Sequence, residues 1–171
     1  MTGVQTCALP IFAPVEGDLI EQAVDAAASA DLSIVIVGTN DDWESEGWDR
    51  VDIELPGRQD ELVQRVADVS PATVVVVNAG SPVGMPWLNE VDAVLMSWFP
   101  GQEMGRSLVD VLSGAEEPQG RLPVTFPARM QDTPAGEHHP GRNGVAQYRE
   151  GRLMGYRWYD SVGREPLFPF G

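Results

Sequence analysis

Residues 73–77, Thr-Val-Val-Val-Val, form an unbroken β-branched run, and this limits the architectures open to the chain. A strand that is apolar at every position needs cover on both faces, as in parallel sheets whose crossovers lay helices over them. A second apolar run, Leu32-Ser33-Ile34-Val35-Ile36-Val37, precedes it, and Ala93 to Trp98 gives a third, shorter strand. Segments of helical spacing lie around and between them. Val15 to Ala30 places Leu19, Ile20, Ala23, Val24 and Ala27 on one helix face. Arg58 to Val69 does the same with Leu62, Val63, Val66 and Val69, bounded by Pro56-Gly57 and Ser70-Pro71. Gly101 to Leu112 reads as a third helix closed by Ser113-Gly114, and Arg121 to Phe126 as a short edge strand, since Pro123 cannot donate to a ladder. This order predicts an α/β fold, a mostly parallel sheet with helices on both faces (an α/β sandwich). Pro127 to Gly171 changes character, with many Pro, Gly, His, Arg and aromatic residues. It is expected to be a loop-rich C-terminal segment packing on the sheet, not a second domain.

Composition excludes several partners. The 171 residues fit one domain with a sizeable core, and the hydrophobic fraction of 43% is that of a globular protein. No apolar run is long enough to cross a bilayer as a helix. A net charge of −15 argues against nucleic acid or an anionic membrane as partner. Met1 to Ile11 (MTGVQTCALPI) has neither the basic start nor the continuous apolar stretch of a signal peptide. Residues 1–12 are read as a non-native segment and 13–171 as the domain. The single cysteine, Cys7, lies in that first segment and has no partner for an internal disulfide.

The stretch Gly38 to Arg50, GTNDDWESEGWDR, follows the first strand directly. Ligands of open α/β sheets bind at the carboxyl ends of strands. Here that position holds Asp41, Asp42, Glu44, Glu46 and Asp49, with Trp43 and Trp48 between them. Indole rings offer apolar faces on which a pyranose can stack, and carboxylates can bond its hydroxyls. Glu44 and Glu46 alternate, so an extended segment turns them to opposite sides and only one faces a ligand. Asp49 and Arg50 are expected to form an ion pair that shapes the loop. A phosphate ligand is disfavoured: there is no glycine-rich cradle, and Glu103 stands beside the start of the third helix. The acidic loop lacks EF-hand spacing. His138 and His139 lack the spacing of a metal site and are expected to be solvated. No metal or other cofactor is therefore expected.

Five blocks together carry a resemblance. They are WESEGWDR with LPGRQDELV, VVVVNAGSPVGMPW, SWFPGQEMGRSLVDVLSGAEEPQGRLPVTFP, YREGRLMGYRWYD and PLFPFG. In this order and spacing they resemble the C-terminal α/β-sandwich domain of glycoside hydrolase family 3, the β-glucosidase and β-xylosidase family. The resemblance spans nearly all of Ala13 to Gly171. It implies retaining, exo-acting hydrolysis of β-linked glycosides at a site between an upstream (β/α)8 barrel and the sandwich domain. The barrel would supply the nucleophilic Asp and this domain the general acid/base Glu. The family's acid/base precedes the Gly of the WESEGWDR motif, which carries that role onto Glu46, with Glu44 as runner-up. Trp43 and Trp48 would contact the sugar.

Retaining hydrolysis needs two carboxyl groups roughly 5–5.5 Å apart, one of them protonated in apolar or anionic surroundings. The indoles of Trp43 and Trp48 and the charges of Glu44 and Asp49 would supply such surroundings. No Asp of this chain matches the barrel motif, and family members continue beyond Phe168-Pro169-Phe170-Gly171. The resemblance thus implies a fragment that is silent by itself, whose barrel-docking face is exposed and favours self-association. The alternative is a non-catalytic carbohydrate-binding module. A flavodoxin-like nucleotide binder is the weaker third reading, opposed by the acidic loop.

Overall fold

The computed structural model describes residues 18–47, 50–136, 138–139, 141 and 143–171. They fall into two compact units. The first holds the chain up to Trp43, with Leu55–Gly80 and Met85–Met104; the second holds Glu44–Glu54, Ser81–Gly84 and Gly105–Gly171.

In the first unit the apolar runs become a three-stranded parallel sheet ordered β1 (Ser33–Gly38), β2 (Thr73–Asn78), β3 (Ala93–Met96). The register sets Val35 opposite Val75 and Gly38 opposite Asn78. The β-branched run lies on the central strand, where Val75, Val76 and Val77 are fully buried. Helix α2 (Gln59–Ala67) packs on β1 and β2 and against α1 (Asp18–Ala28). Ile20, Ala27, Val63 and Val66 are buried there. Of the first predicted helix, residues before 18 lie outside the described ones, as do residues 1–12. On β1, Ser33, Val35 and Val37 are buried while Ile34 and Ile36 are exposed, the alternation of a strand covered on one face.

The third strand stops earlier than its sequence suggests. Trp98 adopts φ 54°, a left-handed conformation costly for a bulky residue, so the extended run cannot pass through it. Its carbonyl is held by the Asn78 side-chain amide, which donates to it. Ser97 still continues the pairing, donating from N–H and hydroxyl to the Val77 carbonyl at 2.9 and 3.0 Å.

The second unit holds α3, which spans Met104–Leu112 and opens on the last residue of the first unit. A short 3-10 turn, Gly101–Glu103, precedes it where one continuous helix was expected. The predicted edge strand Arg121–Phe126 does not form. Phe126 alone makes an antiparallel bridge, to Phe168, because Pro123 interrupts the donor row before it. The supposed loop region also contains a helix, α4 (Tyr156–Val162), ended by Gly163 at φ 64°. Only glycine takes that conformation without cost. Nearby, Asp132 accepts hydrogen bonds from Arg129 and Arg164 at 2.9–3.0 Å. None of the described helices is long and apolar enough to cross a membrane.

Candidate active-site loop

The chain leaves β1 through a tight turn. The Asn40 side chain accepts the Asp42 N–H at 3.1 Å, and the Asn40 carbonyl accepts the Trp43 N–H at 2.9 Å. This Asx-type turn follows from an Asn two residues before the donor. Trp43 is 43% exposed and lies in the first unit. Trp48 and Asp49 lie outside the described residues.

In the second unit the two rival carboxylates are treated differently. Glu44 Oε1 meets Arg50 Nη1 at 3.1 Å and accepts the hydroxyl of Ser81. The same Arg50 nitrogen donates to Ser81 Oγ at 2.9 Å, and Nη2 donates to the Glu54 carbonyl at 3.1 Å. Both charged side chains are mostly buried, Arg50 at 15% and Glu44 at 13% exposure. Glu46, two residues along, is exposed and makes no hydrogen bond or ion pair with the described residues. Beside it, the Gly47 N–H donates to Ser45 Oγ at 3.3 Å. Among the described residues Arg50 thus pairs with Glu44; the expected pair with Asp49 lies outside them.

Beneath this loop lies a cavity of about 430 Å³, lined among others by Glu44, Arg50, Ser81, Thr125, Met130 and His139. Glu44 faces it; Glu46 is not among its lining residues. The Thr125 hydroxyl oxygen is buried without a hydrogen-bond partner among the described residues. His139, expected to be solvated, is half-buried with Nε2 3.3 Å from the Arg50 carbonyl. Ser81 was not singled out in the sequence, although it follows β2 in the short loop Gly80-Ser81-Pro82, a strand-end position where such a partner could be sought. Among the described residues, no group of three or more His, Cys, Asp and Glu is placed to hold a metal ion.

The profile of the glycosyl hydrolase family 3 C-terminal domain matches residues 8–156. The chain belongs to glycosyl hydrolase family 3. This family 3 chain is 45% identical over 177 residues to a β-glucosidase of Rhizobium radiobacter, covering 100% of itself and 22% of that protein. A thermostable β-glucosidase B of Acetivibrio thermocellus is 43% identical over 157 residues, covering 92% of this chain and 21% of the relative. The β-glucosidase of Kluyveromyces marxianus, solved in complex with glucose, superimposes with a TM-score of 0.88 at 38% identity, covering 93% of this chain and 19% of that one. The family 3 chain therefore spans about a fifth of the length of these relatives. Their shared α/β core agrees with the parallel sheet and helices predicted from the β-branched runs.

Proposed function

We propose that this family 3 domain supplies the general acid/base carboxyl of a retaining, exo-acting β-glucosidase, and that Glu46 is that carboxyl. The observation that carries the reading is the contrast between two neighbours. Glu44 is committed to Arg50 and Ser81, whereas Glu46 is exposed and has no hydrogen bond or ion pair among the described residues. A general acid must reach the leaving oxygen and exchange its proton, which a carboxylate locked in an ion pair does poorly. The relatives named above are β-glucosidases, which supports a β-linked glucoside as substrate.

In this reading a barrel domain of the same protein supplies the nucleophilic carboxylate. As it attacks the anomeric carbon, Glu46 protonates the departing glycosidic oxygen. In the second step Glu46, now ionised, takes a proton from the water that releases the sugar. Trp43 and Trp48 offer stacking faces to the glycoside. An acid exposed in this chain gains water-poor surroundings only when a barrel covers it. The chain alone therefore lacks both the nucleophile and the covered pocket.

The test uses the full-length enzyme bearing this segment. Replacing Glu46 by Ala should slow hydrolysis of a glucoside with a poor leaving group far more than of an activated aryl glucoside. Azide should restore turnover and yield a glucosyl azide of retained configuration. An unaffected Glu46→Ala enzyme overturns the assignment. The purified chain should not turn over an aryl β-glucoside, and turnover abolished by Glu46→Gln would defeat that expectation.

A further inference from the structure

The loop from Glu44 to Arg50 is tied at its base by its own two end residues. The Arg50 guanidinium reaches across to Glu44 Oε1 at 3.1 Å and to Ser81 Oγ at 2.9 Å, while its other nitrogen takes the Glu54 carbonyl at 3.1 Å. Ser81 accepts from Arg50 and donates to Glu44, closing a three-membered ring of hydrogen bonds. The strand-end loop that carries Ser81 is itself fixed to the chain just beyond Arg50, since the Gly84 N–H donates to the Ile53 carbonyl at 2.7 Å. His139 adds a contact to the Arg50 carbonyl.

Several features distinguish this ring from an incidental surface pair. Exposed ion pairs are worth little, but these two side chains are largely shielded from water, so removing either leaves a poorly solvated charge. A guanidinium spans three acceptors in fixed directions, which an ammonium on a flexible stem does not reproduce. Joining the ends of a short segment also removes much of its conformational freedom. Inside the tied segment, Glu46 is exposed and makes no hydrogen bond or ion pair with the described residues.

We propose that Glu44, Arg50 and Ser81 form a clamp whose task is to position Glu46, so that the runner-up carboxylate is a positioning residue and not the acid. The inference rests on Glu46 being the acid/base. An unclamped loop would present Glu46 over a range of positions, and displacement of a reacting group by about an ångström costs up to about a hundredfold in rate.

The experiment compares Glu44→Ala, Arg50→Ala, Arg50→Lys, Ser81→Ala and Glu46→Ala in the full-length enzyme. Glu44→Ala and Arg50→Ala should lower kcat on a poor-leaving-group glucoside roughly 10- to 100-fold, with KM moving less than about threefold. Arg50→Lys should recover part of the loss. Ser81→Ala removes one hydroxyl and should cost about 3- to 10-fold, which keeps the clamp testable if the Arg50 variant fails to fold. Azide should rescue Glu46→Ala and none of the clamp variants, because a small nucleophile replaces a missing base but not a missing brace. Full kcat in the clamp variants beside an impaired, azide-rescued Glu46→Ala overturns the clamp alone. Azide rescue of Glu44→Ala with an unaffected Glu46→Ala overturns both readings and makes Glu44 the reacting group. In the chain by itself, Glu44→Ala should speed amide exchange within residues 45–47 while leaving β2 protected; unchanged exchange there also counts against the clamp.

Discussion

Gln59 closes both backbone hydrogen-bonding groups of Gly38. Its Oε1 accepts the Gly38 N–H at 2.7 Å, and its Nε2 donates to the Gly38 carbonyl at 2.9 Å. The side-chain amide thereby acts as the missing neighbour strand at the end of β1, and it also donates to the Pro56 carbonyl at 3.0 Å. Gln59→Leu keeps the volume but strands a buried N–H and carbonyl. The expected loss is about 2–4 kcal/mol, since each unpaired buried group costs about 1–3. Urea unfolding measures it, and an unchanged midpoint would count against this role for Gln59.

Gly38 is fixed from the other side too. A Cβ there would stand 2.0 Å from the Asn78 carbonyl oxygen, which is backbone and cannot swing aside. Gly38→Ala must push β1 from β2 or shift its end, at a cost of about 3 kcal/mol or more. The amide exchange of Thr39, whose N–H donates to Asn78 at 3.0 Å, should rise first. A variant with wild-type stability and wild-type exchange at Thr39 would refute the close approach.

Asp132 gives the molecule an acid-sensitive joint. The hydrogen bond from Arg129 is the largest influence holding its carboxyl below the usual carboxylate range, and the charges of Arg129 and Arg164 add to it. A depressed folded-state value means that the stabilisation is fully present above the unfolded value near ~4 and is lost as pH falls through the lower folded one. Asp132→Asn should therefore lower Tm at pH 7 and lower it by less at pH 3. The effect is modest because Arg129 is largely exposed and screened by solvent. Equal losses of Tm at both pH values would contradict the linkage.

The open side of β1 predicts how the chain behaves in solution. Ile34 and Ile36 are 36% and 42% exposed on a strand at the edge of the three-stranded sheet. Exposed apolar residues on an edge strand favour association with a second chain. Replacing both by Thr keeps the β-branch and should lower the scattering of concentrated solutions. If the unaltered chain runs as a clean monomer at high concentration, the open face is not sticky.

Much of this was legible beforehand, and the remainder was not for physical reasons. Unbroken β-branched runs can satisfy their burial in few ways, so β1 and β2 were read within a residue or so of their observed ends. Alternation along the acidic loop assumed an extended segment at Glu44 and Glu46, whereas the chain there is built mostly of turns. It did not reveal Ser81 or His139, which come from 31 and 89 positions beyond Arg50 and meet it only through tertiary structure. Helix α4 escaped notice because a short segment rich in aromatics between two glycines lacks a clear helical period. The early end of β3 depends on one residue, Trp98, taking a conformation its side chain disfavours.

The second unit is assembled from Glu44–Glu54, Ser81–Gly84 and everything after Met104. Synthesis runs from the amino end, so the candidate acid/base loop leaves the ribosome well before the residues that brace it. Until Ser81 emerges, Arg50 and Glu44 have no hydroxyl between them, and His139 follows later still. Such distant pairings are slow to form and are completed late. A nascent chain stalled midway would already carry Glu46, but on an unfinished loop, so the candidate carboxyl gains its setting only after Ser81 and His139 have been added.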